Sequence, residues 1–390
     1  MSDEGFVEVG HFQTQKSGQR AAGDTICTRR SENGRRTITV LSDGLGSGVK
    51  AGVLSGLTAS MALRLVERGV AMERVAEAIM ETLPVCSTRK ISYATFSIVD
   101  IASDGRARII EYDNPSFIYA RGDRLIKPER KPIEVNRPDG RAAVIYHSQF
   151  DMTVGDRIIM TSDGVTQSGM GTARYPLGWG GDGVAELLPR LLGPETSARM
   201  LARRIVHEAE LRDGSHPRDD ISCLVVTYRR PRRLLVATGP PMRPEADVDL
   251  ARRVRQFPGR KIVAGGTTGN IVAREHGVKA VVEMKRLDVK IPPYARMEGV
   301  DLVTEGIVTM ARVAELLEAD ETDASENAAT LFTDLILESD SIEFLVGTRV
   351  NQAHQDPRIP AQFELRRTIT ERIAQTLSQK HLKEVQLSYI

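Results

Sequence analysis

The chain has little cysteine. Cys27, Cys86 and Cys223 stand far apart in 390 residues. That spacing argues against a disulfide framework and against paired-cysteine zinc sites. Each cysteine reads as a small, partly buried apolar residue. The seven histidines are scattered, and His207-Glu208 lacks the second histidine of a zinc-protease helix. Charge of one sign is also missing. A formal net charge of +1 gives no overall attraction to nucleic acid or an anionic membrane. No apolar run is read as approaching the ~20 residues that span a bilayer. The first twenty residues hold no signal-peptide core. A cytoplasmic location without membrane or nucleic-acid partners is therefore expected. Internal repeats and low-complexity tracts are lacking too.

What is present is ordinary globular material, 41% hydrophobic and 27% charged, long enough for two domains or three. Short strands are expected at 5–12 and 23–29, and a buried strand at 37–43 (TITVLSD). A glycine-rich loop, Gly44-Leu45-Gly46-Ser47-Gly48, then leads into a helix to about Glu67 and a second helix at 72–82. Apolar runs at 93–101, 106–114, 116–122 and 142–150, punctuated by turn residues, predict an antiparallel meander. A strand at 156–163, helices near 184–192 and 195–210, and a strand at 221–229 complete the unit. Helices followed by runs of strands argue for an α+β layered sandwich.

Four aspartates mark the ends of these strands: Asp24 (AAGDTIC), Asp43 (VLSDGLGSG), Asp163 (MTSDGVTQ) and Asp219 (HPRDDISC). Asp-Gly is also a common turn pair, as at Asp104-Gly105 and Asp139-Gly140, so a single copy decides nothing. Carboxylates that meet in space repel one another, and hard divalent cations relieve the repulsion. Two such ions about 3.5–4 Å apart can activate a water for attack on phosphorus. A nucleotide-binding loop fits less well: the third glycine is misplaced for GxGxxG, an aspartate leads the loop, and no GK(S/T) follows.

The stretches LSDGLGSGVKAG, YATFSIVDI, NPSFIYARGDRL, GDRIIMTSDGVTQ and RDDIS resemble the PPM superfamily of metal-dependent Ser/Thr phosphatases. Within it they are similar to the branch typified by the SpoIIE sporulation phosphatase and the stress-response phosphatases. The resemblance covers residues 10–228 and implies a PPM-type α-β-β-α sandwich. It implies two Mn²⁺ or Mg²⁺ ions held by Asp24, Asp43, the Gly44 carbonyl, Asp163 and Asp219. Asp43 would bridge the ions, and Asp43, Asp163 and Asp219 would be catalytic. Asp220 would support rather than ligate. Arg20, four residues before Asp24, matches a phosphate-binding arginine of the wider superfamily, and Lys16 is a weaker candidate. The implied reaction is direct hydrolysis of phosphoserine or phosphothreonine, without a phosphoenzyme. The implied substrate is a bacterial signalling protein of the anti-sigma-factor-antagonist type. In that branch the two helices after the Asp-Gly loop, here about 48–82, form a regulatory element and can form a homodimer interface. The alternative is a pseudophosphatase or binding module, with the main ligand-binding or enzymatic activity in the C-terminal α/β domain.

The segment Arg229-Arg230-Pro231-Arg232-Arg233 reads as a boundary between a phosphatase domain at 1–230 and a second domain at 233–390. Strands at 233–239, 260–266, 279–284, 300–306 and 341–347 alternate with helices at 247–257, from about 268, and at 307–319, 326–337 and 364–380. Such alternation predicts a three-layer α/β domain with a mainly parallel sheet. Gly265-Gly266-Thr267-Thr268-Gly269-Asn270 joins a strand to a helix and suits a phosphate. Thr267, Thr268 and Gly269 are thus candidates for holding a small phosphorylated ligand that controls the first domain. The ends of other strands, at Thr238-Gly239, Glu305-Gly306 and Gly347-Thr348-Arg349, are expected to face the same crevice.

Overall fold

The structure is a computed structural model describing residues 5–31, 35–46, 48–82, 94–136, 142–193, 196–283, 291–319, 327–349 and 359–390. Ser47, Cys86, Tyr93, the Asp139-Gly140 pair, Met284 and residue 326 lie outside the described residues. The chain divides into two compact units, Met1–Arg230 and Pro231–Ile390.

The first unit opens with β1 (Phe6–Thr14), β2 (Thr25–Arg30) and β3 (Arg36–Gly44). Helices α1 (Val49–Glu67) and α2 (Met72–Thr82) follow, then β4 (Ala94–Ala102) and β5 (Arg106–Tyr112). Next come β6 (Ile118–Arg121), β7 (Arg124–Ile126), β8 (Lys131–Asn136), β9 (Ala142–Asp151) and β10 (Asp156–Thr161). The unit closes with α3 (Asp163–Thr166), α4 (Gly180–Leu191), α5 (Ala198–Arg212) and β11 (Ile221–Arg229). One sheet runs β2-β3-β4-β5-β9-β8 and the other β1-β11-β10-β6-β7. The expected meander is therefore split. β4 and β5 pair directly, but β6 and β7 leave for the second sheet before β9 returns to β5.

The layering follows from side-chain alternation along buried strands. Val40, Ile98 and Ile110 point to the α1–α2 side, packing with Ala59, Val75 and Ile79. Their chain neighbours Leu41, Val99 and Ile109 point the other way and meet Ile158, Leu224 and Val226 of the second sheet. Cys223 and Val225 turn outward again, onto Leu201, Ile205 and Val206 of α5. Both faces of the central strands are apolar because both are covered. The result is the α-β-β-α sandwich. Cys223 is fully buried, and burial pushes its thiol pKa up; Cys27 is half-buried. Neither behaves as an exposed reactive thiol.

Helix α1 corrects the expectation about apolar runs. An 18-residue window of this 19-residue helix reaches a mean hydropathy of 1.3, long and apolar enough by composition to cross a membrane. Its Ala59, Ala62 and Val66 pack on the sheet instead, while Val49, Val53 and Leu57 are exposed.

The second unit contains β12 (Arg233–Thr238), α6 (Asp247–Gln256), β13 (Arg260–Ala264), α7 (Gly266–His276), β14 (Val281–Val282), β15 (Ala295–Met297) and β16 (Val300–Thr304). It continues through α8 (Ile307–Ala319), α9 (Ala328–Glu338), β17 (Ser341–Val346), α10 (Ile359–Gln379) and β18 (Glu384–Tyr389). The sheet order is β14-β15-β16-β13-β12-β17-β18. Pairing is parallel from β16 through β18, and antiparallel only at the β14–β15–β16 edge. The strand expected at 279–284 is thus a short antiparallel edge, and β18 adds a parallel edge that the sequence pattern did not announce. Leu250 and Val254 of α6 and Ile271 and Val272 of α7 cover one face. Val313, Phe332 and Ile373, from α8, α9 and α10, cover the other.

Candidate active site

Strand register brings the four aspartates together in pairs. Thr25 pairs with Ser42, so Asp24 and Asp43 fall side by side at one end of the first sheet. Thr161 pairs with Cys223, so Asp163, opening α3, and Asp219, leading into β11, meet at the matching end of the second sheet. The sheets then bring the pairs together. The Ser222 hydroxyl of β11 donates to Asp24 Oδ2 at 2.6 Å across the sandwich.

The Asp24 and Asp163 carboxyls both lie close enough to Asp43 to act on its ionisation, and Asp219 acts on both Asp43 and Asp163. Burial raises the pKa of all four carboxyls, and neighbouring negative charge raises it further. Asp43 carries the heaviest load, facing Asp24, Asp163 and Asp219 together. Asp163 is also held by Gln167, whose side-chain amide donates to it at 2.7 Å.

Among the described residues, no three acidic, histidine or cysteine side chains close around a single point. The carboxyls are instead strung pairwise, with Asp43 in the middle. Carboxylates gathered this closely repel one another, and a divalent cation relieves that repulsion. An all-oxygen donor set with one shared middle member fits two hard ions.

Two glycines allow the close approach of these elements. A Cβ on Gly44 would stand 2.2 Å from the Ala51 carbonyl oxygen of α1. A Cβ on Gly164 would stand 2.1 Å from the Asp220 carbonyl oxygen. Any larger residue would push α1 from Asp43, or α3 from Asp219.

The carboxyls open into a cleft of about 940 Å³. Asp43, Gly44, Asp163 and Asp219 line it, with Lys16, Thr95, Asn114, Arg130 and Tyr146. Arg20 is exposed and is not among the lining residues. Lys16 is the cation of that loop that reaches the cleft, and its charge favours the ionised form of Asp219. The chain turns at Ser17 and Gly18, between Lys16 and the exposed Arg20.

For Asp220, expected to support rather than ligate, the structure supplies the partners. It is buried, and its carboxylate accepts the Lys16 N–H at 3.0 Å and the Gly23 N–H at 2.7 Å. It thereby ties down both ends of the loop that leads to Asp24. Asp220→Ala is expected to lower stability by roughly 1.5–3 kcal/mol, because two buried N–H donors lose a charged acceptor. In this unit that is a melting shift of several degrees, measurable by calorimetry in EDTA. An unchanged melting temperature would rule out the clamp.

The family model for Stage II sporulation protein E matches residues 33–229. The chain belongs to the SpoIIE family of PPM-type phosphatases. Stage II sporulation protein E of Bacillus subtilis is 26% identical over 162 residues, 41% of this chain and 19% of that protein. The chain thus spans about a fifth of the length of this curated relative. The solved PP2C phosphatase domain of B. subtilis SpoIIE, with a fragment of its regulatory domain, is 21% identical. The match covers 58% of this chain and 63% of that one, with a TM-score of 0.49. The RsbU and RsbW domains of a Mycobacterium tuberculosis protein are 18% identical, covering 65% and 68% of the two chains, with a TM-score of 0.46. The family match ends within β11, so it leaves the second unit unassigned.

Proposed function

We propose that the chain is a metal-dependent protein phosphatase that hydrolyses phosphoserine or phosphothreonine on another protein. One observation carries the reading: Asp43, Asp163 and Asp219 line a wide cleft at one end of the sandwich, with Asp24 buried directly behind Asp43. Bound Mn²⁺ or Mg²⁺ would supply charge neutralisation and a water of lowered pKa. Asp24, Asp43, Asp163, Asp219 and the Gly44 carbonyl would hold the ions, with Asp43 shared. Lys16 places a positive charge beside Asp219, suited to the oxygens of the transferring phosphoryl group. Arg130 and Tyr146 extend the lining of the cleft beyond the carboxyls, where the rest of a protein substrate would lie.

The finer reading follows the family. The substrate is a small phosphorylated signalling protein of the anti-sigma-factor-antagonist type, the location is cytoplasmic, and the second unit regulates the first. The helices α1 and α2 form the regulatory element, and α1 lies directly behind the Asp43–Gly44 strand end.

The deciding experiment follows phosphate release from a phosphoserine protein and from p-nitrophenyl phosphate, with Mn²⁺ and with EDTA. Hydrolysis with Mn²⁺ that EDTA abolishes is the expected result. Metal-independent hydrolysis would refute the assignment. Tight binding of the phosphoprotein with no turnover in either condition would favour a pseudophosphatase that acts as a binding module.

A further inference from the structure

The second unit carries a charged group without a carboxylate partner among the described residues. From β12 the chain steps outward through β13 to β16, then crosses back to β17 on the other side of β12. The helices change faces with that reversal: α6 and α7 on one side, α8, α9 and α10 on the other. In open parallel sheets, ligands bind beyond the carboxyl ends of the strands at such a reversal. Here those ends are Gly239 after β12 and Gly347 after β17.

Arg366 of α10 lies over this point. A Cβ on Gly239 would stand 2.5 Å from Arg366 Nη1 and 2.8 Å from its Cζ, so only glycine leaves room for the guanidinium. Arg366 Nη1 donates to the Gly347 carbonyl oxygen over a long 3.3 Å. No carboxylate among the described residues pairs with it, and burial alone lowers its pKa. Asp247, at the start of α6, is engaged by Arg274 at 3.0 Å and by Arg349 at 3.7 Å. A guanidinium has five N–H donors, and a half-buried one without an anion is a cost to the fold.

The neighbouring strand supplies a second wall. Thr238 pairs with Ala264, so Gly239 and Gly265 leave their strands side by side. Gly265 has a φ of 131° and leads directly into α7, whose first turn holds no acidic residue. The Thr268 hydroxyl is fully buried and has no hydrogen-bond partner. It lies 3.2 Å from where a Cβ on Gly265 would stand, turned towards the start of the helix. Thr304 at the end of β16 and Thr309 in α8 are likewise buried with unpartnered hydroxyls. A helix amino terminus, unpaired hydroxyls and an unpaired guanidinium all favour the same kind of guest.

We propose that the carboxyl edge of this sheet binds the phosphate group of a small phosphorylated molecule, with Arg366 as its charged anchor and the amino end of α7, including Thr268, as the facing wall. The sequence candidates Thr267, Thr268 and Gly269 all fall in the first turn of α7, and Arg366 adds the charge that a glycine–threonine loop lacks. The site belongs to the second unit and does not depend on the phosphatase reading.

Titration calorimetry of the full chain in EDTA, with inorganic phosphate and separately with ADP, tests this. EDTA suppresses metal-dependent phosphate binding at the carboxylate cleft. Saturable binding of at least one probe is expected, weakened about 10- to 100-fold in Arg366→Gln and unchanged in Asp163→Asn. Binding of both probes marks a phosphate subsite; binding of ADP alone marks a nucleotide site. Without ligand, Arg366→Gln is expected to melt no lower than the wild type, since it removes an unpaired charge. Should it fail to fold, Arg366→Lys carries the test, and weaker binding is expected from loss of the planar fork. No binding of either probe at millimolar concentration overturns the proposal. So does unchanged affinity in a folded Arg366 variant.

Discussion

Asp163→Asn is expected to lower kcat for Mn²⁺-dependent hydrolysis of a phosphoserine protein by on the order of a thousandfold. Asparagine keeps the shape of the side chain and can still accept the Gln167 amide hydrogen that now reaches Asp163 at 2.7 Å. What it loses is one negative charge in a cleft whose proposed chemistry depends on holding cations. Asp163 lies within electrostatic reach of both Asp43 and Asp219. Its loss would therefore weaken the end of the carboxyl chain that joins the two sheets. The measurement is single-turnover phosphate release, with folding of the variant checked by its melting curve in EDTA. A variant that keeps activity within tenfold of the wild type would remove Asp163 from the machinery.

Asp43→Asn is expected to abolish the same activity while raising the melting temperature of the metal-free protein. Burial, followed by the charges of Asp24, Asp163 and Asp219, raises the Asp43 pKa in the folded state. In the unfolded chain the carboxyl ionises near its ordinary value of about 3.9. Below that value both states are protonated and the group has no effect. As pH rises above it, the unfolded state ionises freely while the folded state resists, so stability falls with pH up to the folded-state pKa. Asparagine carries no such penalty. The gain at pH 7.5 in EDTA is expected to be roughly 1–3 kcal/mol, a rise of several degrees, and to vanish towards pH 4. Added Mn²⁺ should stabilise the wild type strongly and the variant weakly, because ligand binding to the native state adds to its stability. A variant that melts at or below the wild type at pH 7.5 in EDTA would show that the carboxyl cluster is not under this strain.

The opposing signs for activity and stability come from one feature. Four acids gathered with Lys16 beside Asp219 as the cation acting on them are unfavourable to the fold and useful to a metal site. Arg366 presents the same logic with the charge reversed. An unpaired guanidinium on the second sheet is a liability unless an anion visits it.

Much of this was legible in the sequence. The β-branched runs beside Asp43, Asp163 and Asp219 identify strand ends, because local pattern is enough to specify a buried strand. The change at Arg229–Arg233 from runs of strands to strict alternation separates two kinds of sheet, and the parallel sheet of the second unit follows from that alternation. Other features were decided only by tertiary structure. Ser222 and Asp24 are 198 residues apart, and only the packing of one sheet on the other brings them into contact. The choice of Lys16 over Arg20 depends on which way a short loop turns after Asp220 has pinned it. β6 and β7 join the second sheet because their partners lie there, which no local periodicity records. Arg366 sits in an ordinary helical pattern, and only the crossing of α10 over Gly239 makes its charge conspicuous. Sequence determined which residue types lie at the ends of which strands. Register, sheet packing and burial determined which of them share a site, because those depend on contacts between residues far apart in the chain.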